Sequence, residues 1–291
     1  MPLVSMKALL EHARSHRYGV LACNLLSYDM LLGGIAAAEE SDAPLILQLA
    51  PVQFDTSPLE YLGPIMVDLA KKSTAPIVVH LDHGFDLEEI KKAIEIGFSS
   101  VMIDASSYEL EDNIRYTRRV VDLAHASGVD VEAEIGSIGN ETSDGSELRE
   151  TPSDLTDPAM AVQFVDRTGC DTLAVAIGNA HGLHRTAPKL DIDRLSEIDA
   201  RIDIPLVLHG GSGTSDKDFK RCIKNGITKI NIASTIHRTY VEHLDAGKQP
   251  YASHFHHMVG VTRNAVKEFI ERFLSNGHGA EFLEHEKRQR R

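Results

Sequence analysis

Short apolar or β-branched runs alternate along this chain with longer segments whose apolar residues return every three or four positions. The first pattern is that of buried strands, the second that of one-sided helices. Eight runs read as strands: "YGVLACN" (18–24), "PLILQLA" (44–50), "PIVVHLD" (76–82), "SVMIDAS" (100–106), "VDVEAEI" (129–135), "DTLAVAI" (171–177), "PLVLHGG" (205–211) and "ITKINIA" (227–233). Helical period fills 29–41, 58–72, 86–96, 109–127, 157–168, 191–200 and 215–225, with further helical segments near 3–16 and 261–276. Punctuation agrees: Asp86 before "LEEIKKAIEIG" supplies an N-cap, an acidic first turn and a glycine stop in order. Eight strand–helix units predict the α/β class: a (β/α)8 TIM barrel, one domain over residues 1–291, with extra N- and C-terminal helices. A doubly wound open sheet is the structural alternative. It usually has fewer units and a glycine fingerprint after its first strand, which is absent here. One connection is unusually long: "GSIGNETSDGSELRETPSD" (136–154), a polar loop after the fifth strand that belongs to the C-terminal face.

Composition narrows the classes. The 291 residues are 42% hydrophobic, ample for a large core, and no run approaches a membrane span. The opening "MPLVSMKALLEHARSH" carries charges through its apolar positions and reads as an amphipathic helix rather than a signal peptide, so a cytoplasmic protein is expected. Three separated cysteines, Cys23, Cys170 and Cys222, fit a reducing compartment and neither a disulfide framework nor a thiolate zinc site. A net charge of −13 disfavours nucleic acid, yet backbone N–H groups can still hold a phosphate locally. The segment "SHFHHM" (253–258) and the tail "EKRQRR" read as a solvated helical region and a solvated terminus.

Chemistry concentrates where a barrel would gather it. The C-terminal strand ends of such a barrel share one mouth. The polar residues at those ends are Asn24, Asp82 with His83, Asp104 with Ser106, Glu134, His181, His209 and Asn231. A single histidine there would ordinarily be a satisfied polar residue. Three of them from the third, sixth and seventh units, each followed directly by glycine, instead suggest a zinc site of three imidazoles with one open position. Asp104 and Glu134 add oxygen donors for a second or displaced divalent cation. After the seventh and eighth strands come "HGGSG" (209–213) and "NIAST" (231–235), in the usual place of a barrel phosphate site.

At these residues the chain resembles the class II, zinc-dependent ketose-bisphosphate aldolases, in the tagatose- and fructose-bisphosphate branch. The motifs "LDHG", "VMIDASSYELEDNIRYTRRVV", "VEAEIGSIG", "TDPAMAVQFVDRTGCDTLAVAIGNAHG", "HGGSG" and "KINIAS" run through most of the chain in family order. The resemblance implies zinc on His83, His181 and His209, with Asp104 and Glu134 at further metal positions. It implies Asp82 as the acid–base group at the substrate C4 hydroxyl and Asn231 against the reacting ketone and its enediolate. Gly182, Gly210, Gly211, Ser212, Ser234 and Thr235 would hold the dihydroxyacetone phosphate half, with Na+ or K+ nearby. The implied enzyme is a lyase of carbohydrate metabolism and glycolysis, a homo-oligomer (dimer or tetramer) releasing dihydroxyacetone phosphate and glyceraldehyde 3-phosphate. The chemistry is coherent, because a Lewis acid can stabilise the charge left by C–C cleavage and a neighbouring carboxylate can take the hydroxyl proton. No Schiff-base lysine is needed, and none stands at those strand ends.

The chain also departs from the family. The proton-transferring glutamate of the long loop falls at Thr142, leaving Glu141, one residue earlier, or Asp144 to serve. His184 stands where the family has tyrosine, Asn179 where threonine is usual and Ala50 where part of the family has serine; "NLLSYD" lacks a second asparagine. These changes keep open an aldolase for another phosphorylated keto-sugar or keto-acid, and a non-catalytic regulatory homologue. A barrel metallohydrolase usually presents a paired HxH on its first strand, which "VLACN" lacks.

Overall fold

The computed structural model describes residues 2–136, 138, 155–182, 188–244 and 250–289. Eight parallel strands close on themselves in chain order: β1 (Val20–Asn24), β2 (Leu45–Leu49), β3 (Ile77–Gly84), β4 (Ser100–Ile103), β5 (Asp130–Ile135), β6 (Thr172–Val175), β7 (Leu206–Leu208) and β8 (Ile227–Asn231). The first strand pairs with both the second and the last, as in Ala22 beside Ile46 and Ala22 beside Asn231. Around them run α2 (Tyr28–Glu40), α3 (Leu59–Lys72), α4 (Leu87–Ile96), α5 (Leu110–His125), α6 (Pro158–Thr168), α7 (Ile192–Asp199) and α8 (Asp216–Lys224). This is the (β/α)8 TIM barrel that the alternation predicts.

The period of two along each strand separates two cores. Leu21, Leu47, Val79, Val101 and Val131 face outward and pack against the helices. Val20, Ala22, Ile46 and Val78 face inward at the N-terminal end, where they meet Met6, Leu9 and Leu10 of α1 (Met6–His16). The amphipathic helix foreseen at the N-terminus is therefore a stopper, started by the Ser5 hydroxyl accepting from the N–H of Ala8 at 3.1 Å. It seals one end and leaves the C-terminal mouth for chemistry.

The C-terminal third differs from the sequence expectation. The helix expected near 261–276 is the second half of α10 (Tyr251–Arg272), which also takes in "SHFHHM". Its buried stripe begins only at Met258 and continues through Thr262, Val266, Phe269 and Ile270, so the first turns carry no apolar period. A separate helix, α9 (Ser234–Glu242), begins inside "NIAST". The described part of the tail, 286–289, is solvent-facing as expected and forms the end of α11 (Gly279–Gln289), which buries Phe282 in the inner core with Tyr18. Helix α10 lies on α2 at Gly33, where a Cβ would come within 2.6 Å of the Val259 carbonyl oxygen. No helix among the described residues is long and apolar enough to cross a membrane.

Candidate active site

Consecutive strand residues point to opposite sides of a sheet, so Asp82 and His83 should not share a cavity. The β3–β4 register shifts between Leu81 and Gly84, and His83 takes a φ of +49°. A bulge of this kind re-aims a side chain at the rim of a barrel, at the cost of placing a non-glycine residue in the left-handed region. Both residues then reach the mouth. Asp82 accepts from Asn231 Nδ2 at 3.1 Å, and His83 Nε2 lies 2.9 Å from His209 Nδ1.

His83, His181 and His209 bring one donor atom each within 4.8 Å of one another, their ring centroids 4.5–5.8 Å apart. Carboxylates orient two of the rings from behind. Asp104 lies 2.7 Å from Nδ1 of His83, and Glu132 lies 2.7 Å from Nε2 of His209. Such contacts fix the tautomer and turn the opposite nitrogen inward, the arrangement that carboxylates impose on metal-binding histidines. His83, Asp104 and Glu134 form a second group of three potential ligands.

The electrostatics suit a bound cation. Burial, reinforced by the neighbouring His83 and Lys229, keeps His209 neutral well below the ordinary imidazole range. Burial and the Asp104 charge raise Glu134 to about 8, and its buried Oε2 has no hydrogen-bond partner among the described residues, with His209 Nδ1 3.5 Å away. Burial opposes a charge on His83, but Asp82 and Asp104 outweigh it and lift the ring to about 9. Burial likewise works against Asp104, yet its bond to His83 holds it at about 2. A divalent cation would replace the His83 proton and satisfy the stranded Glu134 oxygen, so the donor set fits a metal.

Asp82 sits in a cage of amides. Gln48 Nε2 and Asn24 Nδ2 donate to its Oδ2 at 3.2 and 3.4 Å, opposite the Asn231 bond to Oδ1. Burial alone would raise this carboxyl; His83, Lys229 and His209 nevertheless hold it below the usual range. Gln53, on the turn after β2, accepts from Asn24 at 3.1 Å and extends the cage to the rim.

A cavity of about 150 Å3 opens over these groups, lined in part by Asp82, His181, Gly182, Gly210, Ser212 and Ser234. Gly210 has a φ of +62°, and a Cβ there would collide with the Ala180 carbonyl. Only glycine lets the loops after β6 and β7 pass so closely. Asn179 ties them further: its Oδ1 accepts from Ile177 and its Nδ2 donates to the His209 carbonyl at 3.0 Å. Gly211 donates its N–H to Asn231 at 3.1 Å. Thr235 donates its N–H to the Ser212 hydroxyl at 3.3 Å and lines a neighbouring cavity between α9 and α10. Glu141, Thr142, Asp144 and His184 lie outside the described residues.

A sequence model of the family described as fructose-bisphosphate aldolase class-II matches residues 4–278. The chain belongs to that family. It is 40% identical over 256 residues to the uncharacterized protein YdjI of Escherichia coli (strain K12), across 88% of this chain and 90% of that protein. The X-ray structure of the YdjI aldolase from Escherichia coli K12 superposes with a TM-score of 0.85 at 34% identity, covering 95% of this chain and 99% of the other. The fructose-bisphosphate aldolase (Fba) from Campylobacter jejuni shares the fold, with a TM-score of 0.76 at 19% identity over 94% and 96% of the two chains.

In this class II aldolase, a metal-dependent lyase by family, four mouth residues stand outside the candidates named from the sequence. Gln48, Gln53, Glu132 and Lys229 touch Asp82, Asn24 or His209 directly or through one partner. A signal was present for three of them: Gln48 interrupts the otherwise apolar β2, and Glu132 and Lys229 lie within the motifs "VEAEIGSIG" and "KINIAS"; all three are buried in the closed barrel.

Proposed function

We propose that this class II aldolase cleaves a ketose 1,6-bisphosphate, tagatose or fructose, to dihydroxyacetone phosphate and glyceraldehyde 3-phosphate, and catalyses the reverse condensation. The reading rests on one observation: an ionised, amide-caged Asp82 stands beside three converging imidazoles at the barrel mouth. His83, His181 and His209 hold Zn2+, with Asp104 and Glu134 serving a second or displaced divalent position. Bound there, the cation supplies Lewis-acid withdrawal of charge from the ketone and its neighbouring oxygen.

The chain's own residues do the rest. Asp82 takes the C4 hydroxyl proton; the C4 carbonyl forms as the C3–C4 bond breaks, its electron pair makes the C2–C3 double bond, and the ketone π pair moves onto oxygen. Asn231, fixed by its bond to Asp82, orients the ketone end. Glu141 of the long loop returns a proton to C3 in place of the family glutamate at Thr142. Gly182, Gly210, Gly211, Ser212, Ser234 and Thr235 hold the phosphate of the dihydroxyacetone half, near a Na+ or K+ ion, at the start of α9. The chain acts as one domain and as a homo-oligomer (dimer or tetramer), in cytoplasmic carbohydrate metabolism of the glycolytic type.

The test is a panel of phosphorylated ketoses, followed by coupled detection of dihydroxyacetone phosphate. Release from fructose or tagatose bisphosphate supports the reading, and the ratio of kcat/KM ranks the sugars. No release from either, with zinc bound, would redirect the assignment to another phosphorylated keto-substrate.

A further inference from the structure

The sealed end of the barrel, opposite the mouth, carries a second histidine cluster. His12 and His16 stand four residues apart on α1, so both project from the same side of that helix. Their rings stack with centroids 3.9 Å apart. Glu281 of α11 approaches them, its Oε1 lying 3.3 Å from Nε2 of His16. Its other oxygen meets Nδ1 of His278 at 2.7 Å, and the His285 ring centroid lies 5.6 Å from that of His12. Two imidazoles, of His16 and His278, thus meet the Glu281 carboxylate, with His12 and His285 beside them.

The ring nitrogens are sorted as a metal would require. Nδ1 of His12 lies 2.9 Å from the Tyr18 hydroxyl, and Nδ1 of His16 lies 2.9 Å from the His12 carbonyl, to which it can only donate. The His16 contact leaves its Nε2 for a cation, and both contacts are outer hydrogen bonds of the kind that orient ligating histidines. One donor atom each from His12, His16 and Glu281 lies within 4.8 Å of the others. His12 is only 4% exposed, whereas His16 and Glu281 open to solvent and give a path of entry.

We propose that His12, His16 and Glu281 form a zinc-class metal site, separate from the mouth, that clips α11 onto the α1 stopper. Two imidazoles and a carboxylate suit Zn2+, with the fourth position left to His278 or water. The site joins two helices that already share an apolar seam, where Phe282 packs with Leu9, Leu10 and Tyr18. Its metal would therefore secure the plug of the barrel rather than take part in catalysis.

The test uses the full chain, loaded with excess zinc and desalted, with metal counted per chain by mass spectrometry. The expected result is one more zinc in the wild type than in His16→Gln or Glu281→Gln, with ketose cleavage retained in both variants. Zinc should also raise the wild-type Tm by several degrees more than that of either variant. Equal zinc in wild type and both variants would overturn the proposal and place any second ion at His83, Asp104 and Glu134. Loss of the extra zinc on His256→Gln or His257→Gln, but not on His16→Gln, would overturn it in favour of the exposed α10 histidines.

Discussion

Asp82 and His83 are neighbours in sequence but reach the same mouth only because the strand bulges between Leu81 and Gly84. The pair was legible as chemistry, since ionisable groups closing an apolar strand need a reason. The backbone turn at His83 was not, because nothing local in "HLDHG" demands a φ of +49°. Asp82→Asn keeps the amide cage nearly isosteric but removes the base. Cleavage should fall by about 10²–10⁴-fold, with bound zinc unchanged in mass spectrometry. Equal loss of metal and activity would instead make Asp82 a structural support. The three thiols follow simpler logic. Burial pushes Cys170 and Cys222 up to about 12, and Cys23 higher still, so none forms a thiolate at pH 8. A thiol reagent at pH 8 should find no reactive cysteine in the native chain and all three after unfolding.

At the scale of elements, the barrel interior carries what the strand pattern hid. Gln48, His80, Glu132 and Lys229 read as ordinary polar interruptions in a strand; closure of the sheet turns them inward. Lys229 lies 2.9–3.0 Å from both oxygens of Glu132, which in turn holds His209. Lys229→Met leaves that carboxylate buried with His209 as its main remaining partner. It should cost about 3–5 kcal/mol in urea unfolding and weaken zinc retention at the mouth. Undiminished stability would show that the barrel tolerates the lone charge. Gly210→Ala should impair cleavage more than folding, because its Cβ displaces the loop bearing Ala180 and His181. Far-UV and urea profiles near those of the wild type, with kcat/KM reduced, check that split. Helices α2 through α8 were legible from period and caps. The starts of α9 and α10 were not: one hides in a phosphate-loop motif, the other in a histidine run with little apolar stripe.

At the scale of the whole molecule, one end is filled and the other is functional. Met6, Leu9 and Leu10 close the first, while the second gathers the strand-end histidines, carboxylates and asparagines. The eightfold alternation made this architecture readable, and the family motifs named His83, His181 and His209, which the fold brings together at one mouth. What sequence could not supply was depth: which polar strand residues lie under the histidines and which glycine lets two loops cross. At a net charge of −13, the bisphosphate proposed as substrate would have to be held by local N–H groups and metal rather than by the overall field. The central claim is tested most directly by stripping the purified protein with a chelator and measuring fructose and tagatose 1,6-bisphosphate cleavage before and after adding zinc back. The account predicts cleavage that disappears with the metal and returns with about one zinc per mouth. Cleavage that persists in the stripped protein would contradict it.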